Sequence, residues 1–335
     1  MKKYIKLFAA FLCLTLVLTT CGSCMEIKKW EDITVETNVP PKIVFLGDSI
    51  ASGCGLEGYS DDDLYNCRSY ANILKERYSG ELGEKCRQIT INDAVTGDKS
   101  EDMLKKLKNG ELDEALADSD AVVVSIGGND LLGLVFEVLT KLGYDPDSDK
   151  IELDDANIMA AVLALLTLDK DADAALDGFE ANLKEIITAI RDKTAGTIIV
   201  QTLYDPFEFF DSIKVLTDFT GEKIERLNNI VLKNAMDGDT RLYYVVDVAG
   251  DFKGKCKDLT NIASFDIHPN AKGHEEIAEV VDKEVRAHVY TYPDRIEVVD
   301  QEATNLLLII VIASCAVLVT GIILIVVIVV RKKKK

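Results

Sequence analysis

The chain has 335 residues, with 57 Asp and Glu against 38 Lys and Arg and a formal net charge of −19 at pH 7. Setting aside the three lysines of the first 24 residues and the five cations that close the chain leaves 30 Lys and Arg against the same 57 acids, a formal −27. Such a surface excludes nucleic acid as a partner, because phosphate binding needs a positive face; a solvated, soluble body explains it.

Residues 1–24 read as a secretory signal. Lys2, Lys3 and Lys6 form a basic start, and the apolar run 7–18 is short for a membrane span, so cleavage is expected. Leu18-Thr19-Thr20-Cys21 resembles a bacterial lipoprotein signal in which Cys21 is lipidated, although Thr20 stands where Gly, Ala or Ser is expected. Cys24 after Ser23 is the second candidate and lacks the upstream aliphatic residue. Residues 25–41 then read as a polar lead.

From residue 42 the pattern alternates. Strands are predicted over 42–46, 88–92, 121–126, 197–202 and 242–246, and helices over 66–78, 99–108 and 271–289. Val122-Val123-Val124 makes the third strand apolar on both faces. Near-continuous apolar strands separated by helices imply a parallel sheet covered on both sides. The expected body, residues 42–290, is one α/β domain: a doubly wound, flavodoxin-like, five-stranded parallel sheet with helices on both faces, in three α/β/α layers. Residues 131–193 make a longer excursion, with apolar stretches at 131–142 and 158–168 joined by an acidic connection. They are read as helices over the sheet, either ordinary core or the wall of an acyl-chain pocket.

Residues 291–305 read as a polar stalk. Residues 306–330 are 25 residues without a charge, enough to cross a membrane with some tilt. Arg331 and four lysines follow at once, which marks the cytoplasmic side. The expected location is the cell membrane, with one C-terminal span, the body outside and the basic tail 331–335 inside.

Four cysteines fall in the body: Cys54, Cys67, Cys86 and Cys256. An even number outside the cytoplasm permits disulfides, and Cys54–Cys67 would close a short loop for ~3 kcal/mol; four free thiols are the other reading.

Three short stretches carry chemistry, each where a strand gives way to a loop, and in a parallel sheet ligands bind beyond the C-terminal ends of the strands. Gly47-Asp48-Ser49 supplies a hydroxyl, which needs a base to become a nucleophile. Asp266-Ile267-His268-Pro269 supplies an imidazole suited to that task near neutral pH. Asp266, two residues earlier, can hold its tautomer. His274 and His288, in the following helical stretch, read as surface or packing residues. Gly127-Gly128-Asn129-Asp130 supplies a side-chain amide, and Asn92-Asp93-Ala94-Val95-Thr96-Gly97 a turn glycine. The backbone N–H groups of Ser49 and Gly97 and the Asn129 amide can together meet an oxyanion.

These blocks, in this order, resemble the GDSL or SGNH hydrolases, a family of esterases and lipases named for a Ser, Gly, Asn and His in separate blocks. The matching residues are Ser49, Gly97, Asn129 and His268, and the resemblance covers residues 42–289. Tyr204-Asp205-Pro206-Phe207 resembles the lysophospholipase-like branch. The resemblance implies catalytic Ser49, His268 and Asp266, an oxyanion hole of Ser49, Gly97 and Asn129, and no metal or cofactor. One departure stands out: the family's usual acid position, three before the His, is Phe265 here. A Ser–His dyad helped by a backbone carbonyl is therefore the alternative to Asp266. The expected function is a serine esterase or lipase acting on lipid or lysophospholipid esters. A carbohydrate or cell-wall O-acetylesterase and a catalytically silent surface binding module are the rivals.

Overall fold

The computed structural model describes residues 26–141, 144–145, 150–151 and 155–332. The expected signal and lipidation sites, residues 1–24, lie outside the described residues. The described residues form two compact units, one within 36–292 and one of 26–35 with 293–332.

A first strand, β1 (Lys28–Thr37), precedes the larger unit's sheet strands β2 (Lys42–Gly47), β3 (Ile89–Asn92) and β4 (Ala121–Ser125). Two short strands, β5 (Tyr144–Asp145) and β6 (Lys150–Ile151), pair as an antiparallel hairpin. β7 (Thr197–Gln201) returns to the main sheet, β8 (Met236–Asp237) and β9 (Thr240–Arg241) make another hairpin, and β10 (Tyr244–Val246) completes the sheet. Its order is β10-β7-β4-β2-β3, all parallel. The expected five-stranded doubly wound sheet is present. β4 is buried along its whole length, so apolar side chains on both faces are stabilising rather than exposed.

Helices cover both faces. They are α1 (Ser49–Ser52), α2 (Tyr70–Leu82), α3 (Ser100–Asn109), α4 (Asp113–Leu116), α5 (Gly128–Lys141), α6 (Asp155–Arg191), α7 (Lys214–Lys233), α8 (Val248–Phe252), α9 (Cys256–Leu259) and α10 (Ala271–Val285). On one face Val44, Val122 and Ile198 join Leu107 of α3, Phe179 and Leu183 of α6 and Leu227 of α7 in a single core. On the other, Phe45 meets Tyr70 edge-on at 5.6 Å, and α2 packs on α10.

Two helix boundaries differ by several residues from the sequence reading for local reasons. α2 begins at Tyr70 rather than 66, because Ser69 caps it through the Asn72 N–H. The Asn72 side chain meanwhile bonds the carbonyls of Leu64 and Cys67, holding the preceding residues in a loop. α10 stops at Val285, since Tyr290 already begins a strand. In the excursion, α5 starts at Gly128 and α6 runs for 37 residues to Arg191.

In the second unit, the lead and stalk do not stay irregular. β1 pairs with β11 (Tyr290–Val299) as a two-stranded ribbon. Lys28 meets Glu297 at 2.7 Å and Arg295 meets Asp32 at 2.6 Å. The Ile27 carbonyl accepts from Asp300 N–H, and Ile27 N–H donates to Thr304 Oγ1 at 2.9 Å. α11 (Gln301–Lys332) follows as one continuous helix, so the expected stalk ends inside it. It is long and apolar enough to cross a membrane.

Candidate active site

β2 leads on to β3 at one side of it, while β4, its neighbour on the other side, leads on to β7 in the opposite direction, so the connections diverge between the ends of β2 and β4. That switch point is where a doubly wound sheet opens a crevice. Gly47 ends β2 in close contact with β4: a Cβ there would stand 2.4 Å from the Ser125 carbonyl oxygen, which no side chain tolerates. Asp48 N–H donates to that same carbonyl, and Asp48 Oδ1 accepts from Ile50 N–H at 3.1 Å. The capped turn presents Ser49 as the first residue of α1, and Gly53 closes the turn at φ +88°.

Asp48 itself is 2% exposed. Burial pushes its carboxyl up to about 7. The Ile50 N–H and His268 pull it down, while Asp130 pushes it up further.

The second block follows β3. Val95 N–H donates to the Gly47 carbonyl, and the Asn92 amide donates to the Ala51 carbonyl at 2.9 Å, stitching this loop to the Ser49 turn. Gly97 is exposed, with φ +89° and open space where a Cβ would go.

The third block opens α5. Gly127 has φ +118°, and a Cβ there would press within 2.7 Å of the Phe179 ring. Asn129 donates through Nδ2 to the Asp98 carbonyl at 3.0 Å, linking it to the residue after Gly97. Asp130 then grips the start of α3: its carboxylate accepts Ser100 N–H at 3.0 Å and Ser100 Oγ–H at 2.6 Å. Asn182 of α6 donates to Ser100 Oγ at 2.9 Å.

The fourth block is the loop before α10. Asp266 Oδ1 accepts from His268 N–H at 3.0 Å and lies 2.5 Å from His268 Nδ1. Burial opposes the Asp266 carboxylate, yet the side-chain and backbone hydrogen bonds from His268 hold it below its usual range. Phe265, at the position where the acid was expected, is turned left-handed at φ +56° and stacks on Phe210. The acid two residues before the His thus reaches the imidazole in one tight turn. Tyr204 O–H donates to the Ile267 carbonyl at 2.8 Å and stacks on Phe252, anchoring the loop to the end of β7.

Ser49, Asn129 and His268 line one cleft together with Asp48. Asp266 stands behind His268, and Gly97 is outside the lining residues, on the loop that Asn129 ties down. The rest of the wall is largely apolar: Leu131, Leu134 and Val135 of α5, Phe207 after β7, and Phe219 and Ile224 of α7. Lys223 also lines it. Its side chain is 3% exposed, with the ammonium between Asp169, Asp173 and Glu222 at 2.5, 3.0 and 3.1 Å, so it turns its methylene stem to the cleft.

Cys54, Cys67, Cys86 and Cys256 are free thiols. His274 is fully buried and packs in α10; its Nδ1 accepts Tyr70 N–H at 3.2 Å, and burial pulls its pKa down to about 3. His288 meets Glu284 at 3.1 Å. Ser100, Asn182, Lys223 and Asn261 carry no distinguishing sequence signal, since a turn Asn or a helix-start Ser looks like any other.

A parallel α/β sheet with these blocks at its strand ends is the framework of an ester hydrolase. The GDSL-like lipase/acylhydrolase family matches residues 45–276, and the chain belongs to it. It is 25% identical over 281 residues to the uncharacterized protein YpmR of Bacillus subtilis (strain 168), covering 83% of this chain and 94% of that one. In fold it is similar to phospholipase A1 from Streptomyces albidoflavus NA297, at 20% identity and TM-score 0.51 over 72% of this chain and 98% of that one. It is likewise similar to the lipase Lip_vut3 from a goat rumen metagenome, at 20% identity and TM-score 0.50 over 73% and 96%.

Proposed function

We propose that Ser49 is the nucleophile of a membrane-anchored lipid-ester hydrolase. Ser49 Oγ attacks the ester carbonyl while His268 Nε2 takes its proton. Asp266, on Nδ1, fixes the tautomer and steadies the imidazolium. The Ser49 and Gly97 N–H groups and the second N–H of the Asn129 amide receive the oxyanion. His268 then gives the proton to the leaving alcohol. Water, deprotonated by the same imidazole, releases the acid and restores Ser49. The observation that carries this reading is the 2.5 Å Asp266–His268 pair beside a cleft that Ser49 and Asn129 also line.

The apolar walls from α5 and α7 favour an acyl chain over an acetyl group, because burying each CH₂ contributes about 0.8 kcal/mol. α11 anchors the chain in a membrane, with Arg331 and Lys332 on the cytoplasmic side and the catalytic unit outside.

The test uses the full chain in an ester-free detergent with p-nitrophenyl esters of increasing acyl length. Rates should rise beyond acetyl and vanish in Ser49→Ala. Activity in Ser49→Ala would remove the nucleophile assignment, and a steep fall beyond acetyl would remove the lipid ester.

A further inference from the structure

The displaced acid poses a mechanical problem. A carboxylate only two residues before its His sits on the same short turn, and that turn engages only one of its two oxygens. Oδ1 is committed to His268 through both the backbone N–H and Nδ1. Oδ2 is the atom whose partner lies outside the turn.

That partner is Asn261. Its Nδ2 donates to Asp266 Oδ2 at 3.3 Å and to the Gly55 carbonyl at 3.3 Å, which uses both hydrogens of the amide. Its backbone N–H donates to the His268 carbonyl at 2.9 Å. One residue therefore touches the acid, the base and the loop that follows the nucleophile. Gly55, with φ +87°, leaves no room for slack: a Cβ there would fall 2.9 Å from His268 Cβ and 3.1 Å from Asp266 Oδ2.

We propose that Asn261 is a positioning residue of the catalytic relay, turning Asp266 so that Oδ1 meets His268 and tying that pair to the nucleophile loop. The proposal rests on the assignment of Asp266 and His268 given above. Asn261 acts through Asp266 and touches no reacting atom. It makes up for the missing acid at Phe265: the amide engages from outside the turn the oxygen that the turn itself does not. The other titratable groups facing this pair are Cys54 beside Asp266, Tyr204 from the end of β7, Asp48 from the nucleophile turn and His274 from α10. Among the described residues, none of these four groups hydrogen-bonds Asp266 Oδ2.

The experiment compares Asn261→Ala, Asn261→Asp and Asp266→Ala with the wild type, full chain in an ester-free detergent, on one p-nitrophenyl ester. Asn261→Ala should lower kcat about tenfold and leave KM unchanged. Asn261→Asp places a second carboxylate against Asp266. Like charges raise each other's pKa and favour the protonated imidazole, so the acid limb of kcat against pH should move to higher pH. A residue with only a structural role would lower the folded fraction and leave the limb in place. Wild-type kcat and pH limb in both Asn261 variants, with Asp266→Ala inactive, overturn Asn261 alone. Full activity in Asp266→Ala overturns the acid assignment and this proposal with it. If Asn261→Asp does not fold, the kcat-against-KM split in Asn261→Ala decides.

Discussion

Replacing Asp130 by Ala tests whether Asp130 aims Asn129, the proposed oxyanion donor. The Asp130 carboxylate holds Ser100 twice, at 3.0 and 2.6 Å, and lies one residue from Asn129. Each hydrogen bond to a charged group contributes about 1.5–3 kcal/mol. Against that, burial pushes the Asp130 carboxyl upward, a cost the variant escapes. The net loss of stability should be about 3 kcal/mol, or roughly 6–12 °C in Tm for a domain of this size. Functionally, α5 loses its tie to the start of α3, and the bond of Asn129 to the Asp98 carbonyl is left alone to place the amide. Losing one oxyanion donor costs about 10²–10³ in kcat, so a displaced donor should cost about 10². The assay is thermal unfolding followed by calorimetry, with kcat measured well below the variant's Tm. A lower Tm with wild-type kcat would refute the reasoning, because Asp130 would then hold the fold without aiming Asn129.

Other consequences follow from the same geometry. Asn129→Ala should lose about 10²–10³ in kcat with little change in KM; full retention would remove its amide from the hole. Asp48 binds its proton more tightly when folded, with a carboxyl near 7 against an ordinary value near 4, so its contribution to stability is present at low pH and fades as pH rises from about 4 to 7. Asp48→Asn keeps an acceptor for Ile50 N–H and should flatten that pH dependence, raising Tm at pH 8 but not at pH 4; equal shifts at both would contradict the sign. Lys223→Met keeps an apolar stem on the cleft while taking the ammonium from Asp169, Asp173 and Glu222 and leaving Asp173 its pair with Arg226. Because those carboxylates are roughly half exposed or more, the loss should be about 1–3 kcal/mol, with the acyl-length profile unchanged. A shifted profile would mean that the ammonium, not the stem, meets the substrate.

The sheet was legible because β4 is buried on both faces, and Val122-Val123-Val124 states that directly. The order of the blocks around Ser49, Asn129 and His268 was legible because each ends a strand. The ribbon was not: β1 finds its partner more than 250 residues away, and no local period in either segment announces a pairing that remote. Asn261 was invisible for a related reason. Its role comes from bonds to Gly55 and His268, and only the folded chain brings those loops within reach. Asp266 is a candidate from the sequence, and its reach to His268 depends on the left-handed backbone at Phe265, which nothing about a phenylalanine suggests.

The ribbon of β1 and β11 also bears on where this chain can be cut. A truncation made just before Pro293 to discard the long apolar helix α11 would take most of β11 with it. Residues 28–37 would then carry a row of open N–H and C=O groups, a ready template for a second copy. Cutting after Thr304 instead keeps β11, and keeps the hydrogen bonds that Ile27 makes with Asp300 and Thr304. Solubility after truncation should therefore depend on a dozen residues that make no contribution to the chemistry.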